Sequence, residues 1–387
     1  MALNWSDNKG CALSKQRFTW KELAPQPISK LDDDAFTRVR IILMAGLELD
    51  SVRSKHIAAR FDFNHRLPLA QMRRVEHHQA TLINWLIGPD HSPLDTTIAY
   101  EQVAIEVTAA LAQVEPDPYI AQTMRFGLLE DFDHLYRYAA LMDRLEGKDA
   151  NNILQCYTDI LAGRPTSVEH RAPEDDLRSH YDAASASPLT KMHSIIITGS
   201  EYQTHDYYMV VGPQFADPAA RQLYAEIASI EEQHVTQYGS MIDPSQPLLE
   251  QWLMQEAAEV YMYHSCARYE DNPRIKAIWE RFVDYELGHL HAVCDLYRKE
   301  YRRDPEELLP VELPEPLAFA SQRDFVQQVL DEEVNLRALG TEYSQSGDES
   351  KATLAYRTHM NADGSPSEII ASGYRWMPGT EVLNKAA

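Results

Sequence analysis

Cysteine is scarce in this 387-residue chain: Cys11, Cys156, Cys266 and Cys294 are the only four, and no two form a Cys-x-x-Cys pair. That spacing excludes a metal module held by four cysteine ligands and supplies no disulfide framework, so a reducing compartment is expected. Long apolar runs are missing as well. No stretch approaches the ~18 consecutive apolar residues of a membrane span, and Met1 to Trp20 lacks the apolar core of a secretion signal. The expected setting is the cytoplasm, with no membrane partner. Positive charge is in deficit: 36 Lys and Arg against 59 Asp and Glu leave a net charge of −23, which argues against nucleic acid as a partner. No phosphate-binding glycine loop or Ser/His/Asp arrangement offers a rival chemistry, and the period-2 alternation of strands is nearly absent.

What is present is helical periodicity. Apolar residues at three- and four-residue spacing run through 33–62, 68–88, 95–115, 118–147, 188–212, 217–241, 246–271 and 273–303. Prolines fall between these segments, and Asp217-Pro218 and Asn272-Pro273 read as an N-cap followed by the first helical position. The polar, proline-broken residues 149–187 read as a connector. From 304 to 387 the composition shifts to a proline-rich stretch, one helix near 320–339 and a tail containing Tyr374 and Trp376. This extension is expected to cover an exposed face or to form a subunit contact, as in a homodimer.

One spaced pattern occurs twice: Glu201, Glu231 and His234, then Glu256, Glu286 and His289. In each, a glutamate is followed 30 residues on by Glu-x-x-His, with a proline (Pro218, Pro273) 17 residues after the first glutamate. Glu-x-x-His on a helix presents both side chains on one face, one turn apart. Two helical arms of ~20 Å would bring each lone glutamate level with its partner. Facing hairpins would then gather four carboxylates and two imidazoles around one point, a donor set suited to iron, manganese or zinc. A third copy, Glu101, Pro118, Asp131 and His134, keeps the same offsets. A shift of 155 residues places Gly46, Glu76 and Gln79 opposite Glu201, Glu231 and His234, so the chain reads as two tandem halves of two hairpins each.

The six-residue constellation at 188–303 resembles the ferritin-like di-iron carboxylate superfamily, in which two helices give one Glu each and two give Glu-x-x-His. The resemblance implies an all-α fold of two tandem ferritin-like four-helix bundles, at 33–148 and 188–303, with the connector and the C-terminal extension around them. It implies that two Fe ions, with Mn or Zn as substitutes, lie between Glu201 with His234 and Glu256 with His289, bridged by Glu231 and Glu286. Glu259, three residues after Glu256, is similar to the extra glutamate of rubrerythrins, a carboxylate able to swap on and off one iron. Tyr208 and Tyr263 each follow a ligand glutamate by seven residues and look like hydrogen-bond donors to ligand carboxylates. The chain departs from rubrerythrins in having no rubredoxin domain, so its electrons would come from a separate donor.

In the first half Gly46 and Gln79 stand where a ligand pair would be, which favours a vacated scaffold, although Glu76, Glu101, Asp131 and His134 could still hold one metal. Glu48, two residues from Gly46, is expected to turn to the other side of its helix. His77 and His78 lie off the interior face, Asp62-x-x-His65 falls in a loop, and Glu226, Glu232 and Glu270 read as surface charge. The expected function is an oxidoreductase reacting with dioxygen or hydrogen peroxide. The alternatives are a ferroxidase or iron-handling protein, and a structural metal-binding protein without turnover.

Overall fold

A computed structural model of the chain describes residues 2–30, 33–334 and 348–376. Among the described residues the fold is all-α, and strand-like pairing is limited to two isolated bridges, Asn4 with Glu312 and Ile28 with Ile87. Eight long helices form four hairpins: α1 (Ala35–Phe61) with α2 (Arg66–Asn84), α3 (Pro93–Val114) with α4 (Pro118–Glu146), α5 (Pro188–Val211) with α6 (Pro218–Gly239), and α7 (Leu248–Tyr269) with α8 (Pro273–Tyr301).

Five of the eight helices begin with a capping side chain followed by proline. Asp217 accepts from Ala220 N, and Asn272 from Arg274 N and Ile275 N. Ser92, Asp117 and Ser187 do the same for α3, α4 and α5. Each cap contributes about 1 kcal/mol, and the proline supplies a helical φ where no amide partner is needed.

Burial separates the helices into inner and outer sets. Helix α3 buries 18 of its 22 residues and has no solvent face. Helix α2 buries only 8 of 19, in an amphipathic stripe. The first helix of each hairpin is an inner one: α1 packs on α3, α5 and α7, and α5 also packs on α3 and α7. The segments 33–148 and 188–303 are therefore not separate packing units.

The expected connector is a built part of the molecule. Among its residues Arg164, Thr166, Glu169, His170 and Arg171 are all buried. The N-terminal segment lies along α8: Cys11 N donates to Asp284 O at 2.7 Å and Gln16 Nε2 to Tyr285 O at 2.9 Å. A Cβ at Gly288 would stand 2.0 Å from the Cys11 carbonyl oxygen, so only glycine admits this approach.

In the C-terminal region α9 (Arg323–Glu333) covers part of α4; the expected helix near 320–339 ends there, its remainder lying outside the described residues. After α10 (Lys351–Met360), helix α11 (Pro366–Ala371) seats against α4 and α6. Glu226 is thereby buried, accepting from Ser367 N at 2.7 Å. Glu270 is also buried, paired with Arg40 at 2.9 Å. The reading of both as surface charge is corrected: each has a partner from a distant segment that no local pattern announces. Glu232 is exposed.

Candidate metal centres

The six predicted ligands do not meet at one point. Glu201, Glu231 and His234 gather with Asp131, Glu101 and His134, from α3, α4, α5 and α6. Glu256, Glu286 and His289 gather with Glu76, from α2, α7 and α8. Hairpin α3/α4 thus mates with α5/α6, and hairpin α1/α2 with α7/α8, so the expected single centre between α5/α6 and α7/α8 gives way to two.

In the first cluster Glu231 is central. Its Oε1 lies 3.2 Å from His134 Nδ1 and its Oε2 3.1 Å from His234 Nδ1. The two imidazole rings face each other with centroids 6.0 Å apart. Donor atoms of Asp131, Glu201, Glu231 and His234 lie within 4.8 Å of one another, as do those of Glu101, His134 and Glu231. Two overlapping ligand sets therefore share one carboxylate. All six residues are buried.

The far nitrogen of each histidine is tied to a carboxylate that sequence spacing did not single out. His134 Nε2 is 2.8 Å from Glu169 Oε2, and His234 Nε2 is 2.8 Å from Glu130 Oε2. Glu130 in turn pairs with Arg171 at 2.7 Å and Arg164 at 3.4 Å. A carboxylate at Nε2 holds a proton there. Without metal Nδ1 is protonated too and donates to Glu231, and on loss of that proton its lone pair would face the cluster, as in metal-ligating histidines. Glu169, Arg164 and Arg171 all come from the stretch read as a connector, where nothing is periodic. Glu130 was hidden by standing next to Asp131 on a helix with little exposed surface.

The electrostatics of the cluster follow from its burial. Burial raises Asp131 well above the usual carboxylate range, with neighbouring Glu201 adding to it. Burial likewise raises Glu101 well above its ordinary value and pushes Glu201 up to about 7. For Glu231 burial acts in the same direction, but hydrogen bonds from His134 and His234 outweigh it and hold the group down to about 2. Both oxygens of Asp131, both of Glu201 and Oε2 of Glu101 have no hydrogen-bond partner. Asp131 Oδ1 and Glu201 Oε2 are held only by ion pairs with His234 Nδ1, at 3.3 and 3.8 Å. A buried polar atom without a hydrogen bond costs roughly 1–3 kcal/mol, so the cluster has room for a further partner. The residues present could hold a metal ion.

Tyr208 donates to Glu101 Oε1 at 2.5 Å, across from the helix it follows in sequence. Its ring sits in a buried aromatic group with Tyr138 and Tyr224, at 5.1 and 5.7 Å between centroids.

The second cluster has the same skeleton with two differences. Glu48, Glu76, Glu256, Glu259, Glu286 and His289 are all fully buried. Gln79 occupies the position of a histidine and donates to Glu48 Oε1 at 2.9 Å and Glu286 Oε1 at 2.7 Å. Lys55, from the inner face of α1, reaches Glu76 Oε1 at 2.6 Å and Glu256 Oε1 at 2.8 Å. Tyr263 donates to Glu48, and Gln255 Nε2 to Glu259 Oε1 at 2.9 Å.

Glu48 was expected to face away. Helix α1 is buried on every side at this level, and it is Gly46 that faces elsewhere: a Cβ there would stand 2.2 Å from Gln203 Oε1 of α5. The vacated ligand position inferred at Gly46 is corrected to Glu48. Lys55, seven residues after Glu48, shares its face; that heptad spacing was the available signal. His77 is exposed and His78 half-buried, and Asp62 pairs with His65 between α1 and α2 at 2.5 Å.

Buried Glu/His clusters that could hold a metal ion thus define this all-helical chain. Among the described residues no helix is long and apolar enough to cross a membrane. No protein-family model, curated protein or solved structure matches the chain.

Proposed function

We propose that α3, α4, α5 and α6 form a ferritin-like four-helix bundle holding two iron ions, and that the chain is an oxidoreductase acting on dioxygen or hydrogen peroxide. The observation that carries this reading is Glu231, one carboxylate oxygen beside each of two histidine Nδ1 atoms whose Nε2 atoms are anchored by Glu169 and Glu130. Glu101 with His134 would hold one ion and Asp131 and Glu201 with His234 the other, with Glu231 shared between them. Four carboxylates would balance two divalent ions, leaving a neutral buried site.

Bound iron would supply electrons to dioxygen or peroxide. The protein's own contribution is positional. Asp131 and Glu201 accept no hydrogen bond and are held only by ion pairs with His234, at 3.3 and 3.8 Å, which leaves them room to change how they face the centre. Tyr208 holds a proton against Glu101 Oε1. Burial of every ligand keeps bulk water out and strengthens each charge interaction. In this reading Glu259 and Tyr263 belong to the other cluster and do not touch the reacting centre. Manganese or zinc would fit the same donors, and electrons would come from a separate donor, since the chain has no four-cysteine module.

The test is to load the anaerobic protein with ferrous iron, count it, and supply dioxygen or peroxide with an excess of a small-molecule reductant. About two irons per chain and repeated turnover that is lost in Glu231→Ala support the proposal. Accumulation of many irons without turnover would indicate iron handling. Failure to bind iron would refute the metal reading.

A further inference from the structure

The second cluster looks like a metal site, yet it already contains a cation. Lys55 Nζ donates to Ser51 Oγ at 2.6 Å and forms ion pairs with Glu76 Oε1 at 2.6 Å and Glu256 Oε1 at 2.8 Å. Its side chain is 2% exposed, and both carboxylates are fully buried. We infer that the Lys55 ammonium is the resident cation of this cluster, standing where a metal ion would, and that removing it opens a latent divalent-metal site made of Glu76, Glu256, Glu286 and His289.

The rest of the ligand shell is in place. Donor atoms of these four residues lie within 4.8 Å of one another. His289 Nε2 is 2.7 Å from Gln16 Oε1. Gln16 uses its amide nitrogen to donate to Cys11 O and Tyr285 O, so its oxygen can only accept, and Nε2 must carry the proton. Nδ1 is then directed at the cluster, 2.8 Å from Glu286 Oε2 and 3.6 Å from Glu256 Oε2. Oε2 of Glu256, of Glu259 and of Glu48 are buried without a hydrogen-bond partner, so unused donor capacity points inward. A divalent ion bound to Glu76 and Glu256 would share those oxygens with the ammonium at contact distance, and two cations of that proximity in a buried site exclude each other.

A route in is also present. Lys55 lines a cavity of about 190 Å³ between α1, α5 and α7, together with Ala58, Trp252 and Gln255. Trp252 Nε1 and Gln255 Nε2 donate to Glu256 and Glu259, so with Lys55 three of the residues lining the cavity also touch the cluster. Shortening or neutralising Lys55 would join the two spaces. Given the proposed function of the first cluster, on which this rests, the outcome is division of labour: one cluster takes metal, and its counterpart holds an ammonium in the place of one and joins its helices whatever the metal supply.

Cobalt(II) is the probe, counted per chain after removal of excess metal. Lys55→Met should gain about one cobalt relative to the native chain, and His289→Ala added to it should abolish the gain. Lys55→Arg, which keeps the charge, should gain none. In the native background Glu256→Gln should leave the cobalt count unchanged, a measurement that does not depend on Lys55→Met folding. The inference is overturned if folded Lys55→Met gains no cobalt, or if Glu256→Gln lowers the native count. Loss of all native cobalt in His234→Ala concerns the first cluster alone, so the Lys55 difference stands or falls separately.

Discussion

Glu169 is the sharpest place to perturb the first cluster. It lies outside the long helices, is fully buried, and makes one side-chain contact of consequence, 2.8 Å from His134 Nε2. Its backbone is held independently: Gln233 Nε2 donates to Glu169 O at 3.3 Å, and the neighbouring Arg171 N donates to Gln233 Oε1 at 2.8 Å. Glu169→Ala should therefore leave the segment in place while freeing the imidazole to rotate and to carry its proton on either nitrogen. Loss of such an anchor lowers metal affinity about 10–100-fold, or roughly 1.4–2.7 kcal/mol. Glu169→Gln keeps an accepting oxygen and should lose less than about tenfold. The assay is competition for cobalt(II) or zinc(II) against a chromophoric chelator, on variants shown by circular dichroism to be folded. Unchanged affinity in Glu169→Ala would refute the assignment of His134 as a ligand through Nδ1. Glu130, although its geometry is equivalent at His234, is the poorer probe. Its removal would leave Arg171 and Arg164 facing an empty buried position, and breaking such a pair costs about 3–5 kcal/mol of stability.

Other consequences follow from the same geometry. Burial raises Glu201 to about 7 and Glu76 and Glu286 to about 8. Groups raised above their unfolded values stabilise the metal-free fold fully below the unfolded pKa, and the contribution is lost as pH rises through about 7 to 8. Calorimetry should thus show the metal-free chain melting lower at about pH 9 than at about pH 6; a rise in melting temperature would contradict it, and Glu231, held down near 2, has the opposite sign only in strong acid. Gly288→Ala should push the Cys11 segment off α8 and destabilise the fold by about 1–3 kcal/mol, read by denaturant melts. Tyr208→Phe removes the donor to Glu101 and should change the metal-bound spectrum, whereas Tyr263→Phe, whose hydroxyl serves Glu48, should leave that spectrum unchanged.

The helices were legible because 3.6-residue periodicity and cap-proline pairs are local signals; the expected 118–147 and 188–212 differ from Pro118–Glu146 and Pro188–Val211 by one residue each. The Glu and His residues of the clusters were legible too, since Glu-x-x-His spacing is a property of a single helix. Hairpin pairing was not. All four hairpins carry related motifs, so spacing alone cannot say which two face each other, and chain order suggested neighbours in tandem. What identifies the mates is complementarity between distant residues: Lys55 of α1 with Glu256 of α7, Gln79 of α2 with Glu286 of α8, His134 of α4 with Glu231 of α6. Asp131 and His134 stand in the sequence as a third copy able to hold one metal with Glu76 and Glu101, whereas the fold groups them with Glu231. Glu169 had no periodic context at all.

The central claim is that metal binds between α3, α4, α5 and α6, with Glu231 shared by two ions. Anomalous diffraction at the iron edge from crystals of the iron-loaded protein tests it most directly. The account predicts two peaks, one beside Glu101 and His134 and one beside Glu201 and His234, with Glu231 between them. Peaks beside Glu256 and His289 instead, or no peak at Glu231, would contradict it.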